Sequence, residues 1–273
     1  MTALLAVFAG LLGLAFGSFA NVVAHRVPAK ISLLRPSRCP TCQTPIRSWQ
    51  NVPLLSWLLL RGRCAHCAAP ISPRYPATEA VNGITFALLA WFVPEVLGIS
   101  GAPGVLVWAA FAGFAVVSSV LVMIDLDTQR LPDAIVLPAY GVGLGLLGLA
   151  CLLGAEWSAM LRAVGGMAVM YAAYGLIRLI RPDGMGGGDV KLAGLAGLYL
   201  GWLGWGPLAV GWLAGFLLGG GFAVALIASG KATRRSAVPF GPWLLAGAWV
   251  GIWFGKSLWN YYTAMSGLIL TEG

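Results

Sequence analysis

Apolar runs of bilayer length recur along almost the whole of this 273-residue chain, and they decide its fold class before any single residue is considered. A helix needs roughly 20 mostly apolar residues to cross about 30 Å of hydrocarbon. Such runs occupy about 2–24, 80–98, 103–124, 134–153 and 159–180. A further stretch from Leu192 to about Gly230 is too long for one helix. Trp202-Leu203-Gly204-Trp205-Gly206-Pro207 interrupts it with turn formers and interfacial tryptophans, which predicts a tight hairpin of two spans. A last run covers about 237–259, giving eight. The expectation is an all-α polytopic membrane protein. Charged residues make up only 10% of the chain, against about 25% in soluble domains, which excludes a soluble enzyme, a disordered tail and a secreted disulfide scaffold.

The basic residues orient these spans. Arg26, Lys30, Arg35, Arg38, Arg47, Arg61, Arg63 and Arg74 lie between spans one and two. Arg130 follows span three, Arg178, Arg181 and Lys191 follow span five, and Lys231, Arg234 and Arg235 follow span seven. The other side receives Arg162 and Lys256 alone. Positive charge marks the cytoplasmic side, so the odd-numbered connections are cytoplasmic and both termini lie outside. The net charge of +8 is thereby a topology signal and implies no nucleic-acid partner. Ser18-Phe19-Ala20 has the form of a signal-peptide cleavage site. With no basic residue before the apolar run, the segment instead reads as a retained, inverted anchor. Gly13-xxx-Gly17, Gly141-xxx-Gly145 and Gly215-xxx-Gly219 predict close helix packing, although 38 glycines produce such spacings easily.

Residues 25–78 differ from the rest and form an expected cytoplasmic module between a first transmembrane helix, 1–24, and a seven-helix membrane domain, 79–273. Cys39-Pro-Thr-Cys42 and Cys64-Ala-His-Cys67 are two CxxC pairs. Two tight turns carrying two thiolates each suit a tetrahedral Zn²⁺ site. The reducing cytosol argues against disulfides there, and a small loop region gains folding energy from a metal. Four thiolates leave no open coordination position, so the metal is structural. Redox CxxC chemistry is the competing reading. His66 reads as a bystander to the ligands, His25 as an interfacial side chain, and Cys151 as a small buried hydrophobe.

Nine acidic residues exist, and charge at membrane depth is costly enough to point to function. Asp125, Asp127 and Asp133 follow span three, Asp183 and Asp189 precede span six, and Glu79 opens span two, all on the cytoplasmic side. Glu95, Glu156 and Glu272 read as outer loop charges. Asp125 ends the apolar run Ser119–Ile124 and lies deeper than Asp127. Asp189 follows the glycine run Gly184-Met-Gly-Gly-Gly188, where the backbone can approach a substrate closely. Two such carboxyls brought together share one proton, so one polarises a peptide carbonyl while the other activates water. Proton relays and ion-coordinating transporters use similar carboxylates, and spacing does not choose between them. The glycine run lacks the GxxxxGK[ST] pattern of a phosphate loop. Lys191 either balances the site's charge or anchors the interface.

Taken in order, these residues resemble the bacterial type IV prepilin peptidases. Gly17-Ser-Phe-Ala-Asn21 with Arg26-Val-Pro28, then Asn51-Val-Pro-Leu-Leu-Ser-Trp57 and Arg61-Gly-Arg-Cys64, are similar to that family's early signatures. Ile71-Ser-Pro-Arg-Tyr-Pro76 with Glu79, Ile124-Asp125, Leu131-Pro-Asp133, Gly186-Gly-Gly-Asp189 with Lys191, and Val238-Pro-Phe-Gly-Pro242 follow. The resemblance implies a GxGD-type intramembrane aspartic peptidase with Asp125 and Asp189 catalytic and Asp127 secondary. It implies cleavage of the basic leader of prepilins and type II secretion pseudopilins after a glycine, at the cytoplasmic face of the inner membrane. The new N-terminus is then methylated with S-adenosylmethionine. It further links the four-cysteine module and Gly62 to methylation, with Arg63 where lysine is common, and makes Glu79 a contact for the sulfonium or the substrate amine, or else a cap of span two. Members lacking the cysteine module act as peptidases alone.

Overall fold

The computed structural model describes residues 2–182, 185–231, 233 and 239–266, so Asp183, Gly184, Arg234, Arg235, Val238 and Glu272 lie outside the described residues. The elements are α1 (Thr2–Arg26), a 3-10 turn (Ser48–Asn51), α2 (Leu55–Leu59), α3 (Arg74–Glu95), α4 (Gly101–Thr128) and α5 (Asp133–Leu152). There follow α6 (Trp157–Ile180), α7 (Gly187–Leu203), α8 (Trp205–Ala228) and α9 (Gly241–Met265). Among the described residues there is no strand, only two isolated backbone bridges. The chain is all-helical, and its long helices fall on the expected runs. Six of them, α1, α3, α4, α5, α6 and α8, are long and apolar enough to cross a membrane. Span two begins at Arg74 rather than 80, because the turn at Ser72-Pro73 starts the helix earlier and its Ser72 hydroxyl accepts the Arg74 N–H. Glu79 consequently lies in the second turn of α3 and does not open it. The expected hairpin is a single residue, Gly204, whose φ of +133° is open to glycine and strained for other residues.

The chain divides into two compact units, Met1–Ile124 and Asp125–Gly273, with the boundary inside α4. In the first, α1 lies directly on α3. A Cβ on Gly17 would stand 2.6 Å from the Glu79 Cα, and one on Gly13 would strike the Asn82 carbonyl. This pair of glycines therefore does the close packing its spacing implies. Asn82, fully buried, donates to the Ser119 hydroxyl of α4 at 2.9 Å. In the second unit α7 is the central helix: from Leu192 to Trp202 every residue is buried, the signature of a helix enclosed on all sides. Its backbone meets α6 where a Cβ on Gly166 would stand 2.6 Å from the Gly197 carbonyl oxygen. Gly141 and Gly145, by contrast, have nothing within 4 Å, so that spacing marks no contact, whereas Gly215 and Gly219 lie on α9: a Cβ on Gly247 would stand 2.5 Å from the Gly215 Cα, and one on Gly219 3.0 Å from the Phe240 ring.

Candidate functional site

Asp125 and Asp189 both belong to the second unit, and each is held by a helix N-terminus. Asp125 lies one turn before the end of α4 and is 4% exposed. Its Oδ2 accepts the backbone N–H of Gly241 at 3.1 Å. Gly241 is the first residue of α9, where an N–H has no partner within its own helix. The partial positive charge of that terminus also favours a carboxylate. Asp189 sits in the first turn of α7, half-buried, and its Oδ2 reaches back to accept the N–H of Gly186 at 3.2 Å. Leu131 packs at both helix starts: a Cβ on Gly188 would stand 2.8 Å from its Cβ, and one on Gly241 3.6 Å from its Cδ1.

The glycine run is explained by what crowds it. A Cβ on Gly186 would stand 3.1 Å from Asp189 Oδ2, one on Gly187 would strike the Arg178 guanidinium, and one on Gly188 would stand 2.8 Å from the Leu131 Cβ. Tyr174, Phe216 and Phe240 form an aromatic cluster with ring centroids 5.5–6.2 Å apart, and Phe240 immediately precedes the Gly241 that bonds Asp125. Asp127 is exposed. Lys191 faces neither aspartate of the pair: its Nζ donates to both oxygens of Asp133 at 2.7 and 2.8 Å, in an exposed bridge between α7 and α5.

The cysteines lie in the first unit as two copies of one turn. Cys39 donates its N–H to Thr44 and accepts from Gln43; Cys64 donates to Ala69 and accepts from Ala68. The frame closes with Ile46 N–H to Ser37 O and Ile71 N–H to Gly62 O. Residues 37–46 and 62–71 thus form a structural repeat, legible in the shared pattern of Arg, Cys, Cys, Pro and Ile, which reading the cysteines alone misses. The four Sγ atoms lie within 4.8 Å of one another, and Cys39 and Cys67 are 3.8 Å apart. A tetrahedron with Zn–S of about 2.3 Å has S–S edges of about 3.8 Å, so the site fits Zn²⁺. Hydrogen bonds from the Thr44 side chain and backbone pull the Cys42 thiol down to about 6. The Ala69 N–H lowers Cys67, but desolvation and the other three sulfurs outweigh it and push that thiol up to about 11. Crowded thiolates of this kind call for a cation.

The three residues linked to methylation are placed differently. Glu79 is buried, 8% exposed, and its Oε2 accepts the Leu54 N–H at 2.8 Å, bracing a residue at φ +59° rather than capping α3. Gly62, at φ +68°, packs beneath Trp57, where a Cβ would stand 2.9 Å from Cζ2. Arg63 is exposed and pairs its backbone with Pro70. Arg26 is more than a topology charge: buried, it donates to the carbonyls of Ser32, Leu33 and Arg35 and so shapes the loop after α1. His25 and His66 are exposed, and Cys151 is buried as expected.

Residues 11–93 match the bacterial peptidase A24 N-terminal domain, and residues 109–229 match the type IV leader peptidase family. The prepilin leader peptidase/N-methyltransferase of Stutzerimonas stutzeri is 35% identical over 279 residues, covering 92% of this chain and 91% of that relative. The protein of the same description from Aeromonas hydrophila is 36% identical over 282 residues, with the same coverage of each chain. That of Neisseria gonorrhoeae is 35% identical over 286 residues, again covering 92% and 91%. No solved structure matches.

Proposed function

The chain belongs to the type IV leader peptidase family, and on that premise we propose that it is a bifunctional membrane enzyme. It cleaves the basic leader of prepilins and type II secretion pseudopilins after a glycine, then methylates the new N-terminal residue with S-adenosylmethionine. It sits in the inner membrane with odd-numbered connections cytoplasmic and both termini periplasmic, matching the side on which an unprocessed leader waits. Its functional parts are the first helix, 1–24, the module at 25–78, and the membrane domain, 79–273. An ion-coupled transporter finds no support in the family matches.

What supports the peptidase reading is that Asp125 and Asp189 are each steadied by one backbone N–H from a helix N-terminus, with Leu131 packed against both helix starts. Two carboxyls in a shared low-dielectric site hold one proton between them. The ionised one takes a proton from water, which attacks the scissile carbonyl, while the protonated one hydrogen-bonds the carbonyl oxygen as charge develops on it. Gly241 and Gly186 fix the carboxyl orientations, leaving their outward oxygens for water and peptide. Cys39, Cys42, Cys64 and Cys67 would hold Zn²⁺, which would supply folding energy to the module and take no part in cleavage. S-adenosylmethionine would supply the methyl group, and Glu79 would face the sulfonium or the substrate amine. Gly62 and Arg63 act through the second cysteine turn.

The test is cleavage of a prepilin by the purified protein, with Asp125→Ala and Asp189→Ala assayed separately. Each is expected to abolish cleavage. Full cleavage by either variant overturns the paired-aspartate assignment.

A further inference from the structure

A cavity of about 470 Å³ lies within the first unit, bounded by the end of α1, the four-cysteine module and the start of α3. That is the size of a small-molecule site. Its walls include Asn21, Arg38, Trp57, Tyr75 and Glu79. Glu79 is the informative member. It is more than nine-tenths buried, yet among the described residues it has no ion-pair partner, and its one hydrogen bond is the Leu54 N–H to Oε2. A buried carboxylate needs a cation or a full set of donors. This one has a single donor and opens on a cavity.

We propose that this cavity is the S-adenosylmethionine site, with Glu79 as the counter-charge to the sulfonium; the inference rests on the methyltransferase half of the function proposed above. The ligand's chemistry matches the walls. A sulfonium is a desolvated cation that suits a buried carboxylate and aromatic faces. Its adenine is a flat ring for Trp57 or Tyr75, and its carboxylate needs a guanidinium, which Arg38 provides. Arg26 also lines the cavity, but its guanidinium is committed to the loop carbonyls. Gly62 does not line the cavity and is a positioning residue: any side chain there displaces Trp57, which does line it.

Binding of tritiated S-adenosylmethionine to the zinc-loaded full chain in detergent tests this, by equilibrium dialysis and by photocrosslinking with peptide mapping. The wild type is expected to bind one equivalent and to carry the crosslink within residues 18–79. Glu79→Gln keeps an acceptor for Leu54 but removes the charge, and is expected to weaken binding at least tenfold. Val22→Trp, which fills the cavity from α1, is expected to do the same, and zinc content reports whether either variant has kept its module. A crosslink mapping to residues 125–266, or undiminished binding by both zinc-loaded variants, overturns the site and leaves the bifunctional reading standing. A wild type that neither binds the cofactor nor methylates a cleaved pilin overturns both.

Discussion

Gly241→Ala tests whether a backbone N–H fixes the reactive geometry of Asp125. The new Cβ would stand 2.7 Å from Asp125 Oδ2 and 3.3 Å from its Cγ, where ordinary contact begins at 3.4 Å. The carboxyl must therefore retreat by about 0.7 Å or α9 must shift, with Leu131 Cδ1 at 3.6 Å limiting the second escape. Retreat stretches the 3.1 Å hydrogen bond from Gly241. A hydrogen bond to a charged group contributes about 1.5–3 kcal/mol, and a displacement near 1 Å costs on the order of 10²-fold in rate. We expect kcat for prepilin cleavage to fall roughly 30- to 100-fold, with KM changed by less than about threefold, since substrate contacts elsewhere are untouched. Initial rates with purified protein and a synthetic prepilin measure both. Gly220→Ala is the control, because nothing lies within 4 Å of that position and alanine favours a helix. A Gly241→Ala enzyme within twofold of wild-type kcat refutes the reasoning.

Two further outcomes follow from the same geometry. Lys191→Ala removes a bridge whose side chains are 33% and 55% exposed, so it should cost less than about 1 kcal/mol; a melting temperature within a few degrees of wild type and cleavage within about fivefold check this. The module should carry one zinc per chain, lost in Cys39→Ser and in Cys67→Ser; elemental analysis of the purified protein decides, and a wild type without zinc removes the metal from the scheme.

What the residues disclosed in advance follows from how each one works. Asp125 and Asp189 were visible because acids are scarce and charge is costly near apolar spans, so their positions had few ordinary explanations. The cysteine turns were visible because a thiolate tetrahedron demands that spacing. Gly241 was not: it acts through a backbone N–H common to almost every residue, on a carboxylate 116 positions away. Glu79 was legible as an acid near a span but not as the wall of a cavity, since α1, the module and α3 enclose that space only when folded. The short, wholly buried α7 shows a further limit. Apolar content predicted a span, but burial on every face is a property of its neighbours.

The bond from Gly241 to Asp125 also has a meaning in time. Ribosomes add roughly 5–20 residues per second, so a gap of 116 residues delays the capping donor by roughly 6–23 s after Asp125 is made. Until α9 arrives, the first carboxylate lacks the group that aims it. A chain stopped before α9 would carry both aspartates and still lack the N–H that caps Asp125, so on the proposed mechanism proteolytic competence waits for α9.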